Sequence, residues 1–482
     1  MGNELDEQRL TSTSLIPSLH PRGAGQTFVW YGDCCSGVPG ADNERHFAAV
    51  NAVFQRLATQ PDVVLFPGDN IAGNPGVSAE DTRAMWRYWL DREMAWFYDL
   101  DIPIYHTTSN HNTGDAVAEA VFREILTDIP QNGPDDQKGL SYWVRRDDFL
   151  YVFVNTNFSG LGGSGHVEHK WLDRVLAENA DATYKLVIGH HPIFPTNGYD
   201  MHPGWHVDPD QGAAFWDVLV RHGVIAYLCS HILAFDAQVH DGILQVMTGG
   251  AVVGVMPEAF EYAHLIQTAI DETGIRYQVL DTEGVAREWL QWPEPALDAP
   301  LAPLDIANPP VTPAPLAGDD ESAAAWIARF RISGGLTAAD HEQTLLTVWT
   351  AMDGPEGLWI GTAGPNNRLT VQLVPQQGRG AQRWEGPELA ADQPFDLEIA
   401  IHSGMGPGGV LWRPAGGAWN SLSHSTAEGA ARFTWPETWQ LGHSQSGESD
   451  RAFAGSGLAI QYRFDTVSRA DLFASHPVVV TE

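Results

Sequence analysis

Six residues able to ligate metals or move protons stand just after short apolar runs: Asp33 after TFVWYG, Asp69 in PGDN, Asn110 and His111 in TSNHN, His190 in IGHHP and His231 in CSHIL. They offer two carboxylates, an amide oxygen and several imidazoles, the mixture that holds transition ions and leaves one imidazole to assist a departing oxygen. Such a set suits metal-assisted attack of water on a phosphate ester. Each motif alone is commonplace, because Gly-Asp and His-His-Pro pairs recur by chance and Asp and Asn often cap loops after strands. Their joint placement carries the signal.

The elements that must position these residues are short buried strands. TFVWYGD, DVVLFPGD, DIPIYHTTSNH, LYVFVNTN, YKLVIGHHP and VIAYLCSH are apolar or β-branched runs that end in Gly, Asp, Asn or His. Between them ERHFAAVNAVFQRLAT, MWRYWLDREMAWFYDL, HVEHKWLDRVLAEN and GAAFWDVLVRHG repeat apolar residues three and four apart, as amphipathic helices do. The alternation predicts an α/β layered domain with its chemistry at the carboxyl ends of the strands. The Gly162-Gly163-Ser164-Gly165 run lacks the Lys-Ser or Lys-Thr end of a phosphate loop and reads as a flexible turn.

The order and flanking text resemble the calcineurin-like metallophosphoesterases, in particular the purple acid phosphatase and phosphodiesterase branch, from Thr27 to about Leu290. GHVEHKWLDRVLAENADATYKLVIGHHPIF is similar to that family's helix, strand and His-bearing loop, and GILQVMTGGAV to its closing strand and Gly-Gly turn. The resemblance implies a β-sandwich flanked by helices, and hydrolysis of a phosphate mono- or diester by metal-activated hydroxide. It implies metal ligands at Asp33, Asp69, Asn110, His190 and His231, with Asp69 bridging two ions, and a catalytic role for Asp69 and for His111 near the leaving group. His191 is the neighbour that more often points elsewhere.

The pattern also fails at specific places. The histidine of Asp-x-His is Cys35, the second histidine of Gly-His-x-His is Leu233 and its glycine is Ser230; in the Asn-His motif the glycine is Ser109 and the acidic partner of the histidine is Asn112. The second metal position therefore keeps a complete set, whereas the first is degenerate and retains Asp33 and Asp69. Cys35 is either a soft thiolate ligand or an inert or disulfide-linked cysteine, a Cys34-Cys35 bridge being rare and strained. Asp236 and His240 lie close enough to swing in, but read first as loop residues. The cofactor expected is zinc, iron or manganese, a divalent or trivalent transition metal: one ion held tightly, and any second one weakly. His106, His202 and His206 read as surface histidines near the rim; Trp205, Tyr199 and Trp143 read as leaving-group walls or buried aromatics.

Domain organisation follows from composition. Residues 1–24 read as a polar tail or surface strap, 25–292 as the α/β domain and 293–320 as a Pro/Ala-rich linker. Residues 321–482 show period-two alternation, as in Phe395, Leu397, Ile399 and Ile401. WIARFRI, FDLEIAIHSG with VLWR, and QLGHS followed by GLAIQYRFDTVSRADLF resemble laminin-G or concanavalin-like jelly rolls, an all-β sandwich. That resemblance implies packing against the enzyme or binding of a glycan. Trp349, Trp359, Trp412 and Trp435 read either as a glycan platform or as core.

The chain carries 61 acidic against 27 basic residues, a formal charge of −34, and Lys138, Lys170 and Lys185 are its only lysines. Such a field repels nucleic-acid backbones and points to a small-molecule phosphate ester as the substrate. The start, MGNELDEQRLTSTSLIP, has no basic segment followed by an apolar one, and no run approaches the roughly 18 apolar residues of a membrane span. A soluble, membrane-independent protein is expected, cytoplasmic or secreted with its leader trimmed. Two other readings share these features: a one-metal enzyme with a non-phosphate substrate, and a glycan-binding protein without catalysis.

Overall fold

The computed structural model describes residues 14–196, 199, 202–251, 262–306, 308, 324–339, 341–349, 357–374, 382–426, 438–442 and 451–474. The apolar runs form strands β1 (Gln26–Trp30), β2 (Val63–Phe66), β3 (Ile104–His106), β4 (Tyr142–Arg146), β5 (Phe149–Phe153), β6 (Tyr184–Ile188), β7 (Ala226–Cys229), β8 (Phe235–His240) and β9 (Ile243–Thr248). Three longer strands follow: β10 (His264–Asp271), β11 (Gly274–Asp281) and β12 (Ala286–Trp292). They make two six-stranded sheets, ordered β12-β11-β10-β1-β2-β3 and β4-β5-β6-β7-β9-β8. The site-bearing strands β1 to β3 and β5 to β7 run parallel within their sheets.

The period of two explains the layering. Tyr151, Phe153, Leu186 and Ile188 face the first sheet in one apolar cluster. Leu150, Val152 and Val187 point the other way, into a second cluster. There they meet Leu172 and Val175 of α5 (His169–Glu178) and Phe215 and Leu219 of α6 (Pro209–Arg221). On the first sheet's side Phe47, Val50 and Phe54 of α1 (Asp42–Gln55) and Trp86 of α2 (Ala79–Tyr88) join the first cluster. Two short helices, α3 (Asn110–Thr113) and α4 (Ala116–Ile125), follow β3. The MWRYWLDREMAWFYDL segment is not one helix: it continues from α2 as a π-turn over Trp89–Glu93 and a 3-10 turn over Ala95–Leu100.

The C-terminal half is all antiparallel. Its strands are β13 (Ala302–Pro303), β14 (Ala324–Leu336), β15 (Gln343–Trp349), β16 (Gly357–Ala363), β17 (Arg368–Val374) and β18 (Gln382–Glu388), then β19 (Pro394–His402), β20 (Val410–Pro414), β21 (Asn420–Ser421), β22 (Ser423–Thr426), β23 (Thr438–Leu441) and β24 (Gly455–Ser468). They form two sheets, β13-β24-β14-β19-β20-β21 and β22-β18-β17-β16-β15-β23, which share one apolar cluster containing Phe330, Ile360, Val371 and Ile399. Trp359 is buried and donates to Thr344, and Trp412 is half-buried. Trp435 and the side chain of Trp349 lie outside the described residues. Among the described residues no tryptophan of this half is exposed, so core rather than platform is the observed role.

The two halves are in contact, and the described part of the expected linker takes part: Ala296 and Leu297 are buried in the first sheet's cluster and β13 pairs with β24. Met405, Leu411 and Trp419 belong to the same apolar cluster as the first sheet. Edge strand β8 is covered: Asp236 Oδ1 accepts from Gly408 N at 3.0 Å, Val239 N donates to Ser421 Oγ at 2.9 Å and Gly242 N donates to the Trp419 carbonyl at 3.0 Å. The expected surface strap is docked as well, because Leu19 is buried and Arg22 donates to the carbonyls of Asp471 and Ala474 and to Gln291.

Candidate metal centre

Asp33, Asp69, Asn110 and His111 follow β1, β2 and β3 of one sheet, while His190 and His231 follow β6 and β7 of the other. The strand ends turn sharply to aim these side chains across the gap. Asp33, Cys35, Asp69 and His231 all adopt positive φ, 58°, 41°, 52° and 75°. Left-handed backbone is uncommon for non-glycine residues, and its clustering here marks a site where packing holds a costly geometry. Gly68 has φ 114°, and a Cβ on it would lie 2.6 Å from His190 Nδ1.

His190 is the hub. Its Nδ1 faces the Pro67 carbonyl at 2.9 Å, so the Nδ1 proton is committed and Nε2 is aimed at the donors. Nε2 lies 2.8 Å from Asn110 Oδ1, 3.1 Å from His231 Nδ1 and 3.5 Å from Asp69 Oδ1. Donors about 2.1 Å from one ion at tetrahedral angles stand about 3.4 Å apart. The ligating atoms of Asp69, His190 and His231 lie within 4.8 Å of one another, with Asn110 Oδ1 beside His190, and the residues present fit a shared cation.

A second grouping sits beside it and shares Asp69. The ligating atoms of Cys35, Asp69 and His111 lie within 4.8 Å of one another. Cys35 Sγ and His111 Nε2 are each 3.9 Å from Asp69 Oδ2. Asp33 does not join this group: its Oδ2 accepts from Ser230 Oγ and from His231 N, and its buried Oδ1 has no hydrogen-bond partner. All three cysteines are free, and Cys34 donates to the Asn70 carbonyl instead of pairing with Cys35.

The electrostatics follow from burial and crowding. Burial and then the Asp69 carboxylate push the Asp33 carboxyl well above its usual range. Burial alone would also raise Asp69, but His190 and His111 hold it well below. Burial, with Asp69 and Asp33 beside it, pushes the Cys35 thiol well up. Burial and then His190 push His231 down to about 3, which keeps its imidazole neutral and able to ligate.

The departures from the resembled pattern acquire roles. Ser109 Oγ accepts from Asp69 N at 2.9 Å and Asn112 N at 3.1 Å, bracing the Asp69 loop and α3 together. Asn112 accepts from Asn70 N and donates to Asn70 Oδ1 at 2.7 Å, so it faces away from His111, whose Nδ1 is buried without a partner. Asp236 bonds Gln238 and Gly408, and His240 stacks on Phe194 at 3.4 Å. Both are spent on packing and the domain junction rather than on the site.

Other expectations shift. His106 is not a rim residue: it is buried against Trp86, Trp89 and Phe66, and burial pushes it down to about 3. His206 is buried and His202 exposed. Trp143 packs against the second cluster, whereas Trp205 stands beside His231 with ring centroids 5.0 Å apart. The Gly-rich turn also matters: Ser164 Oγ is 2.6 Å from His191 Nε2, and Thr156 Oγ1 is 2.8 Å from its Nδ1. Nothing in the spacing of Ser164 or Thr156 singled them out, because their meaning depends on contacts across loops.

Residues 26–235 match the family model described as Calcineurin-like phosphoesterase. The phosphoesterase match ends at Phe235, while β10 to β12 complete the first sheet beyond it. No curated protein matches the chain. Among solved structures, GAP50, the anchor in the inner membrane complex of Plasmodium, is 13% identical with a TM-score of 0.38, over 56% of this chain and 89% of that one. The purple acid phosphatase PPD1 of yellow lupin, Lupinus luteus, is 12% identical with a TM-score of 0.40, over 57% of this chain and 55% of the lupin chain. The sialidase module CBM40 of Ruminococcus gnavus, bound to α2,6-sialyllactose, is 16% identical with a TM-score of 0.23, over 31% of this chain and 82% of that module.

Proposed function

We propose that this protein is a metal-dependent hydrolase of phosphate mono- or diesters. In this reading Asp69, Asn110, His190 and His231 hold one ion tightly, and Cys35 with Asp69 offers a weaker second position. The observation that carries it is the convergence of three further donors on His190 Nε2 within 3.5 Å. A bound zinc, iron or manganese ion would supply Lewis-acid polarisation of a phosphoryl oxygen and a water of lowered pKa.

The chain's own residues do the rest. Asp69 supplies negative charge at the centre of the cluster and, through Oδ1, accepts from His111 N at 3.2 Å. That bond fixes the start of α3 and holds the His111 ring over the Asp69 carboxylate, where Nε2 can hydrogen-bond a departing oxygen. Asn110 adds a neutral oxygen, so the set binds a cation without adding a third anion beside the substrate phosphate.

The test is a panel of phosphate, carboxylate and sulfate esters assayed with zinc, manganese and iron in turn. Metal-dependent turnover of phosphate esters alone is expected. Turnover confined to carboxylate or sulfate esters, or none with any metal, would sink the reading.

A further inference from the structure

We propose that Trp205 is a specificity-determining residue: its indole is a platform for a planar aromatic leaving group, so that aryl and heteroaryl phosphate esters are preferred over alkyl ones. The proposal rests on the phosphoesterase reading for the position of the phosphate. Most tryptophans near this domain's core are buried, but Trp205 keeps 39% of its surface open. A single exposed aromatic means little by itself. Its position decides the matter, because its ring is 5.0 Å from that of His231, tilted by 41°, with Tyr199 a further 4.9 Å beyond.

The indole is also held in place. The Gly204 carbonyl, one residue before it, accepts from Ser164 Oγ at 2.8 Å and from His231. Trp205 N donates to the His202 carbonyl at 3.2 Å, and on its other side Val207 N donates to the Pro192 carbonyl at 2.9 Å. The segment that carries the indole is thereby tied to the loop of His190 and to His231 itself. A fixed aromatic face loses little side-chain entropy when a second ring stacks on it. An ester whose phosphate sits among Asp69, Asn110, His190 and His231 would place the ring of an aryl leaving group within stacking distance of Trp205. An alkyl leaving group has no π-face to offer there.

The experiment is calorimetric titration of phenylphosphonate and methylphosphonate, two non-hydrolysable esters' analogues, into metal-loaded wild type, Trp205→Ala and Trp205→Phe. Wild type should bind phenylphosphonate roughly tenfold more tightly than methylphosphonate. That ratio should fall close to one in Trp205→Ala and return in large part in Trp205→Phe, and kinetics on phenyl phosphate should show the loss in KM more than in kcat. Equal affinities in wild type, or selectivity that survives in Trp205→Ala, would overturn the inference. Selective binding without hydrolysis of any phosphate would keep Trp205 as an aryl-binding platform but remove the phosphoesterase reading and, with it, the leaving-group assignment, whereas no binding of either phosphonate would remove both.

Discussion

His190 Nε2 lies 2.8 Å from Asn110 Oδ1, across the gap between the two sheets. With Nδ1 committed to Pro67, a neutral His190 brings two lone-pair donors together, and either a cation between them or the second ring proton that Asp69 favours against burial resolves the conflict. His190→Ala should therefore lose bound metal and lower phosphate-ester turnover by at least about a hundredfold, with far-UV circular dichroism unchanged. Asp69→Asn should behave alike. Elemental analysis checks the metal, and near wild-type turnover in either variant would remove the site.

The two groupings that share Asp69 are unequal. One has four donors, and the other depends on a thiol that burial and then its acidic neighbours push up. After dialysis against a chelator, elemental analysis should find about one ion per chain. Cys35→Ser should weaken only the second ion, seen on adding excess metal, and Cys35→His with Leu233→His should raise occupancy toward two. Two fully retained ions in the unmodified protein would contradict this ranking.

Gly68 is required by space as well as by φ. A Cβ there meets His190 Nδ1 at 2.6 Å and Ser109 Cβ at 2.7 Å, and both neighbours are buried. Gly68→Ala should cost about 2–4 kcal/mol in urea unfolding and release the metal, because His190 must move to make room. A variant with wild-type stability and full metal content would show that the loop has slack.

Asp236 tests the junction between the halves. Burial pushes its carboxyl up to about 6 from 3.8, although Gln238 and Gly408 donate to it. A raised carboxyl pKa means the folded state binds more protons between those values, so this residue's penalty is absent below about pH 4 and complete above about pH 6. At pH 7.5 the penalty is on the order of 2–3 kcal/mol. Asp236→Asn should accordingly raise Tm at pH 7.5 and lose that advantage toward pH 4. A variant less stable at pH 7.5 would show that the charged form is the one the junction needs.

Much of this was legible in the chain itself. The period-two apolar runs, the helical patterns between them and the donors closing each run follow from local backbone preference and burial, which short windows of sequence record. The same holds for the two missing imidazoles, visible as Cys35 and Leu233, and for the alternating strands after residue 321. Tertiary structure decided the rest. It turned Asp33 toward Ser230 and brought His111 to Cys35 and Asp69, it spent Asp236 and His240 on packing, and it buried His106. It also set Trp205 against His231 and placed Met405 and Trp419 in the first domain's core. These outcomes depend on where two sheets and two domains meet. Periodicity tells a side chain which face it shares, but the partner on that face comes from a segment tens to hundreds of residues away, chosen by packing and by the left-handed turns at the strand ends.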